Sequence, residues 1–542
     1  MIPAVATLPA ARAQSTRDGA SRDLLGWPVA MLLAIIALGQ QAHLGLDCDV
    51  SWLLTVGERV LDGSRLYRDV IEVNPPASVL IYLPAILIGR WTDIGADRAT
   101  MAAVALLAAA MVAVSGRILT RAGLIAEPKV STLMAAAMAV FLLLPGACFA
   151  QREHVAVLLA LPALAAIACR AAAMPVPRQA ALLAGVAGGL AIAIKPHFAL
   201  AFLLPIGVAA VRRRSIVAVL GPESAAAAVI VAGYVAVVLI VFPDYLAMLP
   251  LLRAVYLPLR EDPITLMRGP VVALPVALAA LAWWLRGARV GIVPAVLGAA
   301  ASGFVIAGVV QGKGYLNHAY PAAALGFLAL GVLLSDDGPF RQSRAVGLAA
   351  IVMLAMLEWH AFSSVAGHPG LAEAVAQVAP PHPRMIALSD EIGVGHPLVR
   401  QVAGRWVGRS GALWATGGVA TRIASGAVVP DERQRLDAIA EAEAGAFMAD
   451  VRQGRPDVLL IDATLGDWRR RPPVAAVLGD YRPATRVGDV ELWTRRPGAA
   501  TAPPRPRHAS DRAFIATRYA SPAATARAAA TAWASKASDR WR

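Results

Sequence analysis

The chain has 542 residues, 58% of them apolar and 16% charged, with 50 Lys+Arg against 36 Asp+Glu for a formal net charge of +14. Soluble domains run nearer to about 45–50% apolar and about 25% charged, so this composition excludes a soluble enzyme as a description of most of the chain. The positive charge alone would suit nucleic acid, but no basic patch interleaved with exposed aromatics occurs before residue 360, and a nucleic-acid partner is set aside.

Residues 1–26 are polar and carry Arg12, Arg17 and Arg22. They lack the short apolar core and cleavage site of a signal peptide and read as a cytoplasmic N-terminal segment. Charge-poor apolar runs then recur at 27–46, 99–116, 131–150, 224–242 and 290–310, with shorter ones at 155–169, 269–285, 319–334 and 345–357. The stretch 179–211, interrupted only by Lys195-Pro196-His197, is too long for one span and reads as a hairpin of two helices bent at that tripeptide. Together these give about 11 spans over residues 27–361.

Orientation follows from Lys and Arg in the short loops. With a cytoplasmic N-terminus, residues 47–76 fall outside and hold three Arg against six Asp/Glu. The segment 77–89 is apolar but short and follows Pro75-Pro76. Laying it along the outer interface, rather than across the membrane, keeps Arg117, Arg121 and Lys129 inside. Arg170/Arg178, Arg212-Arg213-Arg214, Arg286/Arg289 and Arg341/Arg344 then fall inside as well.

From about residue 362 the pattern changes. Short apolar runs such as 385–388 and 458–461 alternate with helix-like segments such as 431–454, which predicts a small α/β domain over 362–496, placed outside by parity. Residues 497–542 are rich in Ala, Arg, Pro and Ser, carry eight Lys/Arg against two Asp, and read as a disordered basic tail. Cys48, Cys148 and Cys169 are too few for a disulfide framework and too scattered for a metal site. A Cys48–Cys148 bridge stays open only if both face an oxidising compartment.

Once the topology is set, the unusual polar residues gather at outer helix ends: Asp47-Cys48-Asp49, the segment from Leu66 to Pro76, Gln151-Arg152-Glu153-His154, Lys195-Pro196-His197, and the segment from Gln311 to His318. An isolated basic residue at a helix end would simply snorkel to the headgroups. Several on the face where cations are disfavoured suit a lipid phosphate instead. Asp47 and Asp49 read either as an N-cap for the following helix or as a general base for an acceptor hydroxyl. Their Asp-X-Asp spacing leaves a divalent ion open, but zinc is disfavoured and no metal site is assigned.

The segment Asp49, Gly63-Ser64-Arg65-Leu66-Tyr67, Glu72 and Asn74-Pro75-Pro76, followed by an interfacial helix, resembles the GT-C superfamily of polytopic glycosyltransferases, in particular its bacterial protein-mannosyltransferase and lipid A aminoarabinose-transferase branch. The resemblance implies an α-helical polytopic fold, a first outer loop (47–98) with juxtamembrane helices and a periplasmic C-terminal domain. It implies an inverting transfer from a polyprenyl-phosphate sugar to a hydroxyl of a glycan, lipid or protein acceptor, on the periplasmic face of a bacterial inner membrane, with no cofactor required. Asp49 would be the base, with Glu72 and Asp47 sharing or shaping that role. Arg152, His154, Lys195, His197, Lys313 and His318 would hold the donor phosphate, and Glu153, Tyr67, Asn74 and Tyr315 would orient substrate. Two features depart from the family pattern: Asn74 stands where a basic residue precedes Pro-Pro, and Glu153 is embedded in Gln-Arg-Glu-His. A transporter or flippase of lipid-linked saccharide, which would place its charges near mid-membrane on broken helices, is the alternative from another class. A non-catalytic partner in envelope polysaccharide assembly is a second, and an O-antigen-ligase-like enzyme lacking the Asp-to-Pro-Pro loop is a third.

Overall fold

The computed structural model describes residues 28–29, 31–287, 290–336, 340–363, 367–426, 428–465 and 472–497. The expected N-terminal segment 1–26, and all of the expected tail 497–542 except Pro497, lie outside these residues. The chain divides into two compact units, one made of Met1–Leu46, Ile88–Tyr234 and Glu261–Val365, the other of Asp47–Leu87, Val235–Arg260 and Ala366–Arg542. Each unit therefore draws on three stretches of chain.

The protein is a multi-pass membrane protein. Among the described residues, seven helices are long and apolar enough to cross a bilayer: Ala96–Arg121, Arg152–Ala171, Pro222–Val241, Pro263–Arg286, Ile292–Gln311, Leu316–Ser335 and Arg344–Phe362. An eighth span results if Met31–Leu44 and Cys48–Leu61 are counted as one broken helix. Four of the expected spans form shorter helices. Glu127–Leu142 and Arg178–Ile194 have 16 and 17 residues and Leu200–Arg213 has 14; at ~1.5 Å per residue each is shorter than the ~30 Å hydrocarbon layer. Met31–Leu44 is the fourth. The apolar run 131–150 stops being helical at Leu142 because Pro145 and Gly146 interrupt it, and a short 3-10 turn at Gly146–Cys148 follows.

Within the membrane unit, packing is by close approach of small residues. A Cβ on Gly303 would collide with the Leu200 carbonyl oxygen, so glycine there lets Ile292–Gln311 lie directly against Leu200–Arg213. The helix Arg152–Ala171 is buried along nearly its whole length, as expected of the central helix of a bundle that is apolar all round. Basic residues at helix ends are paired: Arg170 makes two hydrogen bonds to Glu223 at 2.9 and 3.1 Å. Arg286 pairs with Asp336 and lies 4.2 Å from the Phe340 ring centre.

The second unit is built on a five-stranded sheet of order β2-β1-β3-β5-β4, with β1 Arg384–Leu388, β2 Arg405–Trp406, β3 Val458–Asp462, β4 Tyr481–Val487 and β5 Val490–Arg495. The central strands β1 and β3 pair in parallel, Met385 against Val458 through Leu388 against Ile461. They are almost wholly buried, as their unbroken apolar sequences require. The antiparallel β4–β5 hairpin closes one edge, turning at Gly488, whose φ of 57° suits glycine. The expected strands at 385–388 and 458–461 and the helix at 431–454, here Pro430–Gly454, are all present. The apolar segment after Pro75-Pro76 forms two short helices, Ala77–Leu80 and Leu83–Trp91. None of the three cysteines forms a disulfide, so the Cys48–Cys148 bridge is not made.

Candidate functional site

In the second unit, the acidic segment is organised around Trp52 and Glu72. Asp47 caps Cys48–Leu61: its carboxylate accepts from the Asp49 backbone N–H at 3.0 Å and from Cys48 Sγ at 3.5 Å. A carboxylate at this point also faces the positive end of the helix dipole. Both Asp47 and Asp49 are half-buried. Burial, and then the neighbouring Asp49 charge, push the Asp47 carboxyl up to about 6. The cap reading of Asp47 is therefore the geometry observed, and Asp49 sits in the first turn of the helix that Asp47 begins.

One turn further along, Trp52 Nε1 donates to Glu72 Oε2 at 2.6 Å, and Asn74 donates to Glu72 Oε1 from its backbone N (2.9 Å) and its side-chain Nδ2 (2.5 Å). With three N–H donors converging on a carboxylate only 2% exposed, Glu72 is committed to holding the loop. Tyr67 completes the arrangement. It adopts a φ of 69°, is fully buried, and its hydroxyl donates to the Asn74 carbonyl at 2.7 Å. Its ring packs against Phe242 and Tyr245 at 6.5 and 5.1 Å. On the other side of Trp52 lies His396, 5.3 Å away, which also packs on Trp406 at 4.8 Å and lies 3.4 Å from Ser51 Oγ through its Nδ1. Burial pushes the His396 imidazole down to about 3, so it is neutral. Sequence reasoning missed His396, because nothing in its local segment links it to residue 52.

In the membrane unit, a second polar group forms at the ends of four helices. Lys195, in the break between Arg178–Ile194 and Leu200–Arg213, pairs with Glu153 in the first turn of Arg152–Ala171 and donates to Gln311 Oε1 at 3.3 Å. Asn317 Nδ2 donates to Gln151 Oε1 at 2.5 Å and reaches Glu153 Oε2 at 3.3 Å, while His318 Nε2 lies 3.6 Å from Glu153 Oε1. Arg152, also buried, adds its charge beside the same carboxylate. Lys313 is held between Gly312 (φ 67°) and Gly314 (φ 68°), whose left-handed conformations fold the connection tightly enough to bury the lysine to 8% exposure. Two cations, Arg152 and Lys195, thus stand against Glu153 in buried surroundings, and Lys313 is buried as well.

The sequence-predicted residues separate accordingly. Arg152, Glu153, Lys195 and His318 come together, joined by Gln151, Gln311 and Asn317 from the same sequence clusters. His154 turns away from this group. It packs between Phe149 and Tyr320 at 5.2 and 5.3 Å, and its Nδ1 accepts from the Ala150 N–H at 3.0 Å. His197 is half-buried against Phe198, and Tyr315 is exposed with its ring 5.6 Å from that of His318. Asp47, Asp49, Tyr67, Glu72 and Asn74 belong to the second unit. Among the described residues, no three His, Cys, Asp or Glu side chains are grouped to hold a metal ion.

Two solved structures share this architecture. ArnT from Cupriavidus metallidurans, a lipid A aminoarabinose transferase, was solved bound to undecaprenyl phosphate and in the apo state. The matches have TM-scores of 0.51 and 0.52 at 14% identity, covering 87% of this chain and 97% of that one. The fold is GT-C-like. The sequence matches no protein-family model and no curated protein. The GT-C likeness of the fold therefore rests on three-dimensional structure.

Proposed function

We propose that the chain is a membrane glycosyltransferase that moves a sugar from a polyprenyl-phosphate donor to an acceptor hydroxyl on the periplasmic face of a bacterial inner membrane. The observation that carries this reading is the buried group of Arg152, Glu153, Lys195 and His318 at the helix ends of a GT-C-like fold. A neighbour of that fold was solved with undecaprenyl phosphate bound. Cations fixed at a buried position stabilise the charge that grows on a departing phosphate.

The reaction is a single displacement. The acceptor oxygen attacks the anomeric carbon as its proton passes to a carboxylate, the bond from that carbon to the phosphate oxygen breaks, polyprenyl phosphate leaves, and the configuration inverts. Asp49 serves as the base, because Asp47 is committed to the helix cap and Glu72 to Trp52 and Asn74. Arg152, Lys195 and Lys313 hold the donor phosphate, with His318 and His197 beside them. Glu153 sets the position of Lys195. The chemistry calls for no metal, so transfer is expected to survive chelation by EDTA.

The test is release of polyprenyl phosphate from a polyprenyl-phosphate-linked sugar by the purified chain in lipid vesicles. Asp49→Asn should lower turnover by about 100-fold or more while donor binding persists, and Lys313→Ala should weaken donor binding. A full rate in Asp49→Asn, or no release with any sugar donor, overturns the proposal.

A further inference from the structure

The helix that carries Asp49, Cys48–Leu61, is gripped along one side by the segment joining β1 to β2 and by the loop after β2. Near its start, Ser51 Oγ lies 3.4 Å from His396 Nδ1, and the Trp52 ring packs edge-on against the same imidazole at 5.3 Å. Two turns further on, Arg400 closes a fork on Glu58, with Nη1 donating to Oε2 at 2.8 Å and Nη2 to Oε1 at 3.0 Å. Beside it, Arg59 Nη1 donates to the Gly408 carbonyl at 2.5 Å. All of these groups belong to the second unit.

The gripping residues are themselves tied to the sheet. His396 packs on Trp406 of β2, whose Nε1 donates to the Ser410 carbonyl at 2.9 Å. Arg400 follows on the short helix Leu398–Gln401. Arg409, next to Gly408, is bound to Asp450 of the helix Pro430–Gly454 through its backbone N at 2.7 Å and its guanidinium at 2.9 to 3.1 Å. Its carbonyl in turn accepts from the Ile71 N–H at 2.7 Å, just before Glu72.

Successive side chains turn by about 100° around a helix, so Ser51, Trp52, Glu58 and Arg59 share an arc of about 120° and Asp49 lies outside it. The two holds stand about 10 Å apart along the axis. Such spacing fixes tilt as well as roll. On another face, Val50, Leu53, Leu54 and Gly57 are buried, and Ile86 closes on Gly57 so tightly that a Cβ there would collide with it. Apolar burial of that kind is non-directional, whereas a bidentate guanidinium–carboxylate pair imposes a geometry.

We infer that Arg400 is a positioning residue for transfer: the sheet of the second unit acts as a clamp on the helix Cys48–Leu61, and the Arg400–Glu58 fork sets the roll of that helix and hence the place of the Asp49 carboxylate. The link to transfer rests on the glycosyltransferase reading above, in which Asp49 is the base; the grip on the helix does not. A side chain reaches about 5 Å from the helix axis, so a roll of about 10° moves a carboxylate by about 1 Å. Misplacement on that scale can cost about 100-fold in rate. The Glu58 side chain is 30% exposed, so water reaches the charge left unpaired when Arg400 is replaced, and the fold is expected to persist.

The experiment follows single-turnover release of polyprenyl phosphate from a bound polyprenyl-phosphate-linked sugar, with the full chain in lipid vesicles. Arg400→Gln should lower the rate constant about tenfold and leave the KM for the donor unchanged; loss of folded protein would lower only the amplitude. Arg400→Lys keeps the charge without the fork and should recover part of the rate. Glu58→Arg combined with Arg400→Glu rebuilds the fork and should return to within about threefold of wild type, whereas each of these changes alone sets like charges together and should fall below Arg400→Gln. Arg433→Gln, which breaks an exposed ion pair with Asp437 in the same unit, should change nothing. Hydrogen exchange reads the grip independently of transfer: amides of 48–61 should exchange about tenfold faster in Arg400→Gln, with β1 and β3 unchanged. An unchanged rate constant in Arg400→Gln, with wild type active, overturns the positioning role. Equal acceleration of exchange in β1 and β3 overturns the clamp in favour of general destabilisation. A wild type that releases no polyprenyl phosphate sinks the glycosyltransferase reading and the positioning role with it, while the exchange comparison still decides the grip.

Discussion

Replacing Glu153 by Gln keeps the shape of the side chain and removes its charge, which makes it the sharpest probe of the membrane-unit cluster. In the wild type this carboxylate takes the Lys195 ammonium, lies within 3.6 Å of His318 Nε2 and 3.3 Å of Asn317 Nδ2, and stands beside Arg152. All four residues are less than a tenth exposed. Removing one partner of a buried pair leaves the other charge uncompensated, at a cost of about 3–5 kcal/mol. Lys195→Met alone should cost less, because Arg152 still balances Glu153. In Glu153→Gln with Lys195→Met no lone Lys195 charge remains, and much of the loss should return. The double-mutant cycle should therefore give a coupling energy of about 2 kcal/mol or more. Reversible unfolding in mixed micelles, titrated with sodium dodecyl sulfate and followed by circular dichroism, measures it. A coupling below about 0.5 kcal/mol would refute a direct buried pair, and with it the positioning role of Glu153.

Three further predictions concern the second unit. Burial pushes the Asp47 carboxyl up to about 6, so the folded state takes up this proton more readily than the unfolded chain: stability should rise as pH drops from about 7 to 5, and Asp47→Asn should flatten that limb of the stability profile while keeping the helix. His396 behaves oppositely to a surface histidine. With its value pushed down to about 3 against the ordinary 6.5, its contribution to stability is full above 6.5 and is lost as pH falls, at about 1.4 kcal/mol per pH unit. Thermal unfolding of the full chain between pH 7 and 5 should show this slope, and an unchanged slope in His396→Gln would assign it elsewhere. Trp52→Phe removes one of three donors to buried Glu72 and should cost about 1–3 kcal/mol; protease sensitivity of the 66–76 segment reads the loss.

The limits of sequence reading show most clearly at Arg152-Glu153-His154. Three adjacent polar residues at a helix start look like one cluster. Successive side chains on a helix, however, diverge by about 100° around the axis. Glu153 meets Lys195 on one side, while His154 enters the slot between Phe149 and Tyr320 on another. Whether a neighbour joins the cluster depends on which helices pack on each face, and that is information carried by chain segments far away. The same reasoning explains Lys195. Read alone, a lysine at a membrane hairpin bend is a free cation for phosphate. Its pairing with a carboxylate 42 positions earlier becomes visible only when the helices are packed.

Local signals fared better where backbone chemistry decides. Pro75-Pro76 starts a helix because proline suits a first turn and cannot continue one, and the apolar runs 385–388 and 458–461 form buried parallel strands for want of any polar face. Asp47 belongs to this second class: its role as a cap depends only on residues two positions away. Asp49 does not, since a base is defined by the substrate it faces. Exchange of Asp47 and Asp49 should therefore be unequal. Ser or Asn at 47 keeps an N-cap acceptor and should retain transfer at high pH, whereas no neutral residue at 49 replaces a proton acceptor. Equal losses at the two positions would mean that the pair works as one coupled acid rather than as a cap and a base.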